Sequence, residues 1–267
     1  MRTLKIGVRL AALVMTFALT FGMACNAMAS EKKTKVKKKI ELESFGQLTV
    51  KANRFDVIVK HSDNGKYYLS YNKVLGDDEV KVSYSIADNA LIIKQTGGND
   101  KVELSKAKTK SMYDEIKNLQ NTIIVYIPEG KRICNGEISM ENGDFESKSV
   151  VFKNTQINLS NGDIHIDKGA LNNTSLLSYE GDIDVKKSSM SNDITVTTKN
   201  GDVTMDLKDK TLKTLDCKIQ YKDGDVELPD GWKKKVKKKD GWKVIKRSAD
   251  DSDSNLTVQN RHGDITF

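Results

Sequence analysis

The chain is 267 residues long, 37% hydrophobic and 6% aromatic, with a formal net charge of +7. That charge is unevenly placed: Arg2, Lys5 and Arg9, a lysine strip at 30–39 and a second basic run at 230–247 outweigh an acidic body, which excludes a generally basic, nucleic-acid-coating protein. No G-x-x-x-x-G-K-[ST], G-x-G-x-x-G or C-x-x-C occurs, which removes the nucleotide-binding loops and the paired-cysteine zinc sites.

Residues 1–29 read as a signal peptide. The three basic residues precede an apolar run from Leu10 to Ala24, and Ala27-Met28-Ala29 has the A-x-A form of a cleavage site. Two alternatives stay open. Lipid attachment at Cys25 would use Gly22-Met23-Ala24, a poor lipobox, and an uncleaved anchor would need an apolar run nearer ~20 residues. Each reading exports the body of the protein. Residues 30–39 set six lysines against Glu31 with no apolar periodicity, which predicts a disordered, solvated tether. Such a strip suits a soluble spacer or peripheral contact with anionic lipid or wall polymer.

From residue 40 the pattern changes to short alternating runs: Ile40–Glu43, Gln47–Lys51, Phe55–Lys60, Tyr67–Tyr71, Val80–Ser85 and Ala90–Gln95. Turn signals such as Ser62-Asp63-Asn64-Gly65 and Ala87-Asp88-Asn89 separate them. This predicts an irregular β cap that shields the first strand edge. An insertion at about 97–121 follows, polar and poor in β-branched residues, with a short helix around Ser111–Leu119. Thr122–Pro128 restarts the β pattern and closes the N-terminal β region, 40–128.

Over 129–267 one unit recurs. Gly143-Asp144, Gly162-Asp163, Gly181-Asp182, Gly201-Asp202, Gly224-Asp225 and Gly263-Asp264 follow at glycine intervals of 19, 19, 20, 23 and 39. A fixed period near twenty marks a repeat architecture. Ahead of each glycine apolar residues alternate, as in Ile157 and Leu159 or Ile194 and Val196; after it the alternation resumes one position out of step, as in Ile164 and Ile166. Period two means strand. The slip means a corner, where glycine supplies an unusual φ and aspartate accepts from backbone N–H. The expectation is two strands and a bend per unit, stacked as a single-stranded parallel β-solenoid.

Stacking would turn equivalent positions into ladders about 4.8 Å apart. The corner aspartates Asp144, Asp163, Asp182, Asp202, Asp225 and Asp264 form the first, tied to backbone donors or, alternatively, bridged by Ca²⁺. The Gly-Gly-x-Gly-x-Asp pattern of calcium-binding repeats is absent, so no metal and no cofactor is expected. Lys148, Asp167, Lys186 and Asp206 form a second ladder of alternating sign. Glu146, His165, Asp184, Thr204, Glu227 and Thr266 form a third, where a histidine between carboxylates could move a proton. It lacks a paired nucleophile, and the expectation is a charged surface without catalysis. Cys217 points inward and Cys134 outward, so no disulfide is expected.

Between the last two glycines, Asp230-Gly231-Trp232 and Asp240-Gly241-Trp242 bracket a basic run. The expectation is a hairpin projecting at about 230–247. Trp232, Lys233, Lys234, Lys235, Lys237, Lys238, Lys239 and Trp242 are the candidate binding residues, or else the tryptophans cover the end of the core.

The six corners in register, with Ile123, Val125, Ile127 and Pro128 leading into Gly136-Glu137-Ile138 and Leu256-Thr257-Val258 leading into Gly263-Asp264-Ile265, resemble the bacterial "putative adhesin" family. Those envelope proteins carry a repeated Ser-Gly-Asp-Ile-type turn on a β-solenoid, and the resemblance covers residues 40–267. It implies an exported, non-enzymatic envelope protein whose partner is a cell-wall or surface polymer. A membrane protein partner, in an envelope-stress or signalling setting, is the alternative it leaves. A carbohydrate-active enzyme is the third reading.

Overall fold

The computed structural model describes residues 35–74, 80–96 and 121–267. The expected signal peptide, the lipid-attachment alternative at Cys25, residues 30–34 and the expected insertion up to residue 120 lie outside the described residues.

Twenty strands and one short helix make up these residues. They are β1 (Lys35–Leu42), β2 (Gln47–Ser62), β3 (Tyr67–Val74), β4 (Lys81–Ala87), β5 (Ala90–Thr96), β6 (Asn121–Pro128), β7 (Arg132–Cys134), β8 (Glu137–Asn142), β9 (Phe145–Lys148), β10 (Val151–Asn161), β11 (Ile164–Asp167), β12 (Ala170–Glu180), β13 (Ile183–Asn200), β14 (Val203–Leu207), α1 (Asp209–Thr214), β15 (Leu215–Asp223), β16 (Val226–Glu227), β17 (Lys237–Lys239), β18 (Trp242–Arg247), β19 (Ser254–His262) and β20 (Ile265–Thr266).

The fold is all-β and its central pairings are parallel. Each Gly-Asp corner divides a layer into a pre-corner strand and a post-corner strand, and each pairs with its counterpart one repeat away. Ile157 of β10 sits between Ile138 and Leu176, and Ile164 of β11 sits between Phe145 and Ile183. Residues nineteen apart in the chain are thus neighbours in space.

Eight such layers follow one another among the described residues, numbered here in spatial order. Layer I is 90–96 with 121–128 (β5 and β6), II is 47–62 (β2), III is 132–148, IV is 151–167, V is 170–186, VI is 189–207, VII is 254–267 and VIII is 215–227. Chain order and spatial order therefore disagree at both ends. The chain builds II before I, and VIII before VII. Its last segment slides between layers already laid down: β19 pairs with β13 on one side and β15 on the other. The interval of 39 residues before Gly263 is this detour, which the period alone reads as a skipped unit.

Three bends, not one, turn each regular layer. The Gly-Asp corner has φ between +135° and +147° at Gly143, Gly162, Gly181 and Gly201. A second bend places Ser149, Lys168 and Lys187 at φ of 62°, 54° and 50°, and a third places Asn135, Asn154, Asn173 and Asn192 at φ of 52°, 51°, 48° and 58°. Asparagine tolerates that left-handed conformation. Its amide also links layers: Asn154 Nδ2 donates to Asn135 Oδ1 at 3.2 Å, and Asn173 Nδ2 to Asn154 Oδ1 at 2.9 Å. The expected two-strand unit is corrected accordingly.

The interior is apolar along the stack, from Leu48, Phe55 and Val57 through Phe145, Ile164 and Val185 to Val203, Leu256 and Ile265, all buried. Each such side chain contributes about 1.5–3 kcal/mol of burial. At the corners, buried polar groups satisfy the glycine carbonyls: Ser178 Oγ donates to Gly162 O at 2.8 Å, Thr198 Oγ1 to Gly181 O at 3.1 Å and Asn260 Nδ2 to Gly201 O at 3.0 Å.

Both ends exchange parallel for antiparallel pairing. At one end β4 covers β5, while β3 covers β6 and β1 covers β3. At the other, β18 covers β15 and β17 covers β18. Antiparallel cover denies a second copy the in-register edge that would extend the stack. Two expectations change here. Residues 35–39 are not tether but strand, because β3 offers a free edge that pairs residue by residue with β1. The basic hairpin does not project, because β18 finds the equally free edge of β15.

Candidate functional site

The basic hairpin is the first place to look. Trp232 is half-buried at the end of the core, its ring 5.5 Å from that of Phe267, with the Arg247 guanidinium stacked 4.4 Å above it. Lys234 Nζ donates to the Val226 carbonyl at 2.6 Å, capping the β16 edge. These two side chains serve the fold. Lys233, Lys235, Lys237, Lys238 and Lys239 are exposed, and among the described residues none of them is in an ion pair. Trp242 is half-exposed, with Lys222 Nζ 4.9 Å from its ring centre.

The corner aspartates form one continuous hydrogen-bonded chain. Asp144 N–H donates to Asp56 Oδ1 at 2.9 Å, Asp163 N–H to Asp144 Oδ1 at 3.0 Å, Asp182 N–H to Asp163 Oδ1 at 2.8 Å and Asp202 N–H to Asp182 Oδ1 at 2.7 Å. Asp264 N–H then donates to Asp202 Oδ1 and Asp225 N–H to Asp264 Oδ1, each at 2.8 Å. Each carboxylate from Asp56 through Asp264 thus caps a backbone donor of the adjoining layer, the arrangement expected of an Asx-type corner. Asp264 precedes Asp225 in this ladder, as the interleaved last layer requires.

On the post-corner face Lys148, Asp167, Lys186 and Asp206 are direct neighbours, so the alternating ladder stands as expected. His165 lies beside Asp184, Nδ1 to Oδ2 at 3.4 Å, with Asp163 Oδ2 at 3.9 Å from Nε2. Burial alone would push the Asp184 carboxyl up; the Lys186 ammonium 2.8 Å away, the Thr204 hydroxyl and His165 outweigh it and hold it below the ordinary carboxylate range. Among the described residues no three His, Cys, Asp or Glu side chains converge as metal ligands would.

Cys217 is buried, which pushes its thiol up to about 12 against the nearby Arg247 charge. Cys134 is half-buried; both thiols are free. Cys134 lies in the wall of an open depression with Phe45, Tyr67, Asn89, Arg132 and Val151. Sequence reasoning did not find this hollow, since it forms only where layer II meets the turn that enters layer III.

Comparison with known proteins adds the following. A family model described as Toastrack DUF4097 matches residues 132–267, the span from β7 to the end of layer VII. No curated protein matches the chain. Several solved structures are similar to it, three of them as follows. A "putative cell adhesion protein" from Clostridium sporogenes shares 13% identity, covering 88% of this chain and 98% of its own, with a TM-score of 0.46. A "putative adhesin" from Bacteroides fragilis shares 14%, covering 88% and 97%, with a TM-score of 0.43. A "putative lipid binding protein" from Parabacteroides distasonis shares 10%, covering 88% and 98%, with a TM-score of 0.29. No helix among the described residues is long and apolar enough to cross a membrane.

Proposed function

The chain belongs to the Toastrack DUF4097 family, and from that premise we propose that it is a non-enzymatic, exported cell-envelope protein that binds an anionic wall or surface polymer. Its scaffold is a single-stranded parallel β-solenoid whose Gly-Asp corners lie one over another. The contact includes the outward side chains of the basic hairpin: Lys233, Lys235, Lys237, Lys238, Lys239 and Trp242.

One observation carries this reading. Lys237–Lys239 are fixed in place by strand pairing to β15 through β18, yet with Lys233 and Lys235 they stand exposed without carboxylate partners among the described residues. A cationic cluster held rigidly loses less side-chain and backbone freedom on binding than a flexible tail would. Trp232 and Lys234, spent on covering the core end and the β16 edge, support the contact indirectly by holding the hairpin's base.

The test is retention of the exported chain on purified cell-wall polymer. Retention at low salt, lost at high salt and on replacing Lys233, Lys235 and Lys237–Lys239 with Gln, is the expected result. A chain that runs through at low salt would sink the proposal.

A further inference from the structure

The two faces that meet at the Gly-Asp corners treat charge in opposite ways. On the post-corner face signs alternate between layers, Lys148 against Asp167 against Lys186 against Asp206. On the pre-corner face the position two before each glycine runs Tyr179, Lys199, Arg261, Lys222 across layers V to VIII, as their strand registers dictate. Antiparallel pairing of β15 with β18, and of β18 with β17, continues the row through Trp242 to Lys239. Three cations in succession therefore lie between two aromatic rings. Arg261 occupies the centre only because layer VII enters between VI and VIII.

Shared orientation is confirmed by contact. Lys199 Nζ lies 5.4 Å from the Tyr179 ring centre and Lys222 Nζ 4.9 Å from that of Trp242. Tyr179 is 53% exposed, among the few large apolar-bodied side chains left in water, and Lys199 and Arg261 are exposed. Five strands at ~4.8 Å spacing set Tyr179 and Trp242 roughly 19 Å apart, with a cation at each intervening step.

Within the row itself, from Lys199 to Lys222, no carboxylate alternates with the cations. From layer IV to layer VIII the outward positions nearest it are neutral hydrogen-bonding groups (Gln156, Ser175, Thr195, Thr197, Thr257, Gln259, Gln220), Leu177, and one further lysine, Lys218, opposite Lys246; the carboxylates Asp193 and Asp216 stand at the far end of the same strands, where they accept from Asn255 Nδ2 and the Ala249 N–H. The carboxylates nearest the row are at the corner: Glu180, Asp223, and the aspartate ladder. Asp223 is engaged by His262 Nδ1 at 2.8 Å, and Asp163, Asp182, Asp202 and Asp264 each turn Oδ1 to a backbone N–H. Like charges directly opposite across strands repel one another. A polyanion laid along the row would remove that repulsion.

We infer that this row is a binding track for a linear anionic glycan, running perpendicular to the strands. Sugar rings stack on Tyr179 and Trp242, acidic groups meet Lys199, Arg261 and Lys222, and hydroxyls meet the adjoining Thr and Gln rows. A glycan fits better than a membrane, because the two aromatics stand apart among charged and hydrogen-bonding side chains, with no contiguous apolar patch to insert. It fits better than single-stranded nucleic acid, whose successive bases need successive aromatic platforms. The track deepens the anionic-polymer reading proposed above and rests on it, but it places the contact on the sheet face beside the hairpin.

The test uses the chain from residue 30 onward, polygalacturonate as probe, and dextran, phosphatidylglycerol vesicles and oligo(dT) as comparisons, by titration calorimetry at several salt concentrations. The variant Lys199→Gln/Arg261→Gln/Lys222→Gln is expected to bind polygalacturonate at least tenfold more weakly. Its log–log salt slope is expected to be shallower by about three. In a Trp232→Phe background, where Trp242 is the remaining tryptophan, saturation is expected to shift the emission. Far-UV circular dichroism of the triple variant, matched to the parent, separates loss of binding from loss of fold; Tyr179→Ala then repeats the test with no charge altered. Parent-like binding by the triple variant, with loss confined to the hairpin Gln variant, would overturn the track and leave the proposed function standing. No binding of polygalacturonate by the parent at low salt would overturn the track; if wall polymer still retained the chain, the broader reading would survive. Tighter binding to vesicles or oligo(dT) than to polygalacturonate would overturn the choice of glycan.

Discussion

Replacing Gly181 with alanine probes the corner stack at its centre. A Cβ built there would lie 2.2 Å from Gly162 O, 2.6 Å from Gly162 C and 2.8 Å from Asp163 Oδ1, on a backbone at φ +145°. Two costs combine. The conformation is one that L-residues scarcely adopt, of order 1–3 kcal/mol. The obstructing atoms are backbone, so layers IV and V must separate locally, weakening the Ser178 Oγ bond to Gly162 O. Together these exceed about 4 kcal/mol, within the range of the most damaging single substitutions. Gly65 is the control: its φ is +70° and nothing lies within 4 Å of the added carbon, leaving backbone strain of about 1–2 kcal/mol. At about 2–4 °C per kcal/mol for a domain of this size, thermal unfolding followed by circular dichroism should show Gly181→Ala losing about 10 °C or more and Gly65→Ala roughly half of that or less. Equal losses would refute the reasoning that glycine is required because layers touch there.

Other consequences follow from the same contacts. Asp182→Ala removes the acceptor for the Asp202 N–H at 2.7 Å and should cost about 1–2 kcal/mol in urea unfolding, whereas Asp182→Asn keeps an acceptor and should lose less. Asp184 is held below its ordinary value, so its contribution is fully present above the unfolded-state value near ~4 and is lost as pH falls through the folded-state value. Asp184→Asn should therefore flatten stability against pH on the acid side while costing under ~1 kcal/mol at neutrality; an unchanged acid limb would contradict the pair with Lys186. At pH 8 a thiol reagent should label Cys134 and spare buried Cys217, whose thiol sits near 12, until the chain is unfolded; equal labelling rates in the native protein would remove Cys217 from the core.

The Gly-Asp corners were legible because glycine there is obligatory and the apolar phase slips visibly around it. The aspartate and Lys148–Asp206 ladders followed from that register alone. The third bend could have been found: Asn135, Asn154, Asn173 and Asn192 recur every 19 residues, a left-handed residue type at fixed period. The second bend could not, since a serine and two lysines, Ser149, Lys168 and Lys187, are not residue types that mark a left-handed conformation. Helix α1 was hidden for a related reason, being six residues with no side-chain N-cap bond. The interleaving at the two ends was invisible in principle. Every strand of the stack carries the same inward alternation, so periodicity says that β19 stacks without saying between which neighbours. The Tyr179–Trp242 row depends on that order and could be seen only in three dimensions.

Disulfide trapping tests the order of layers most directly. In a chain freed of its native cysteines, Thr195→Cys/Thr257→Cys and Thr257→Cys/Lys218→Cys join positions that are direct parallel neighbours, whereas Thr195→Cys/Lys218→Cys spans two strand spacings, about 10 Å. Mild oxidation should close the first two pairs and leave the third reduced, because a bridge reaches no further than about 7 Å between α-carbons. Closure of 195 with 218, and not of either with 257, would put layer VIII directly on layer VI and contradict the account.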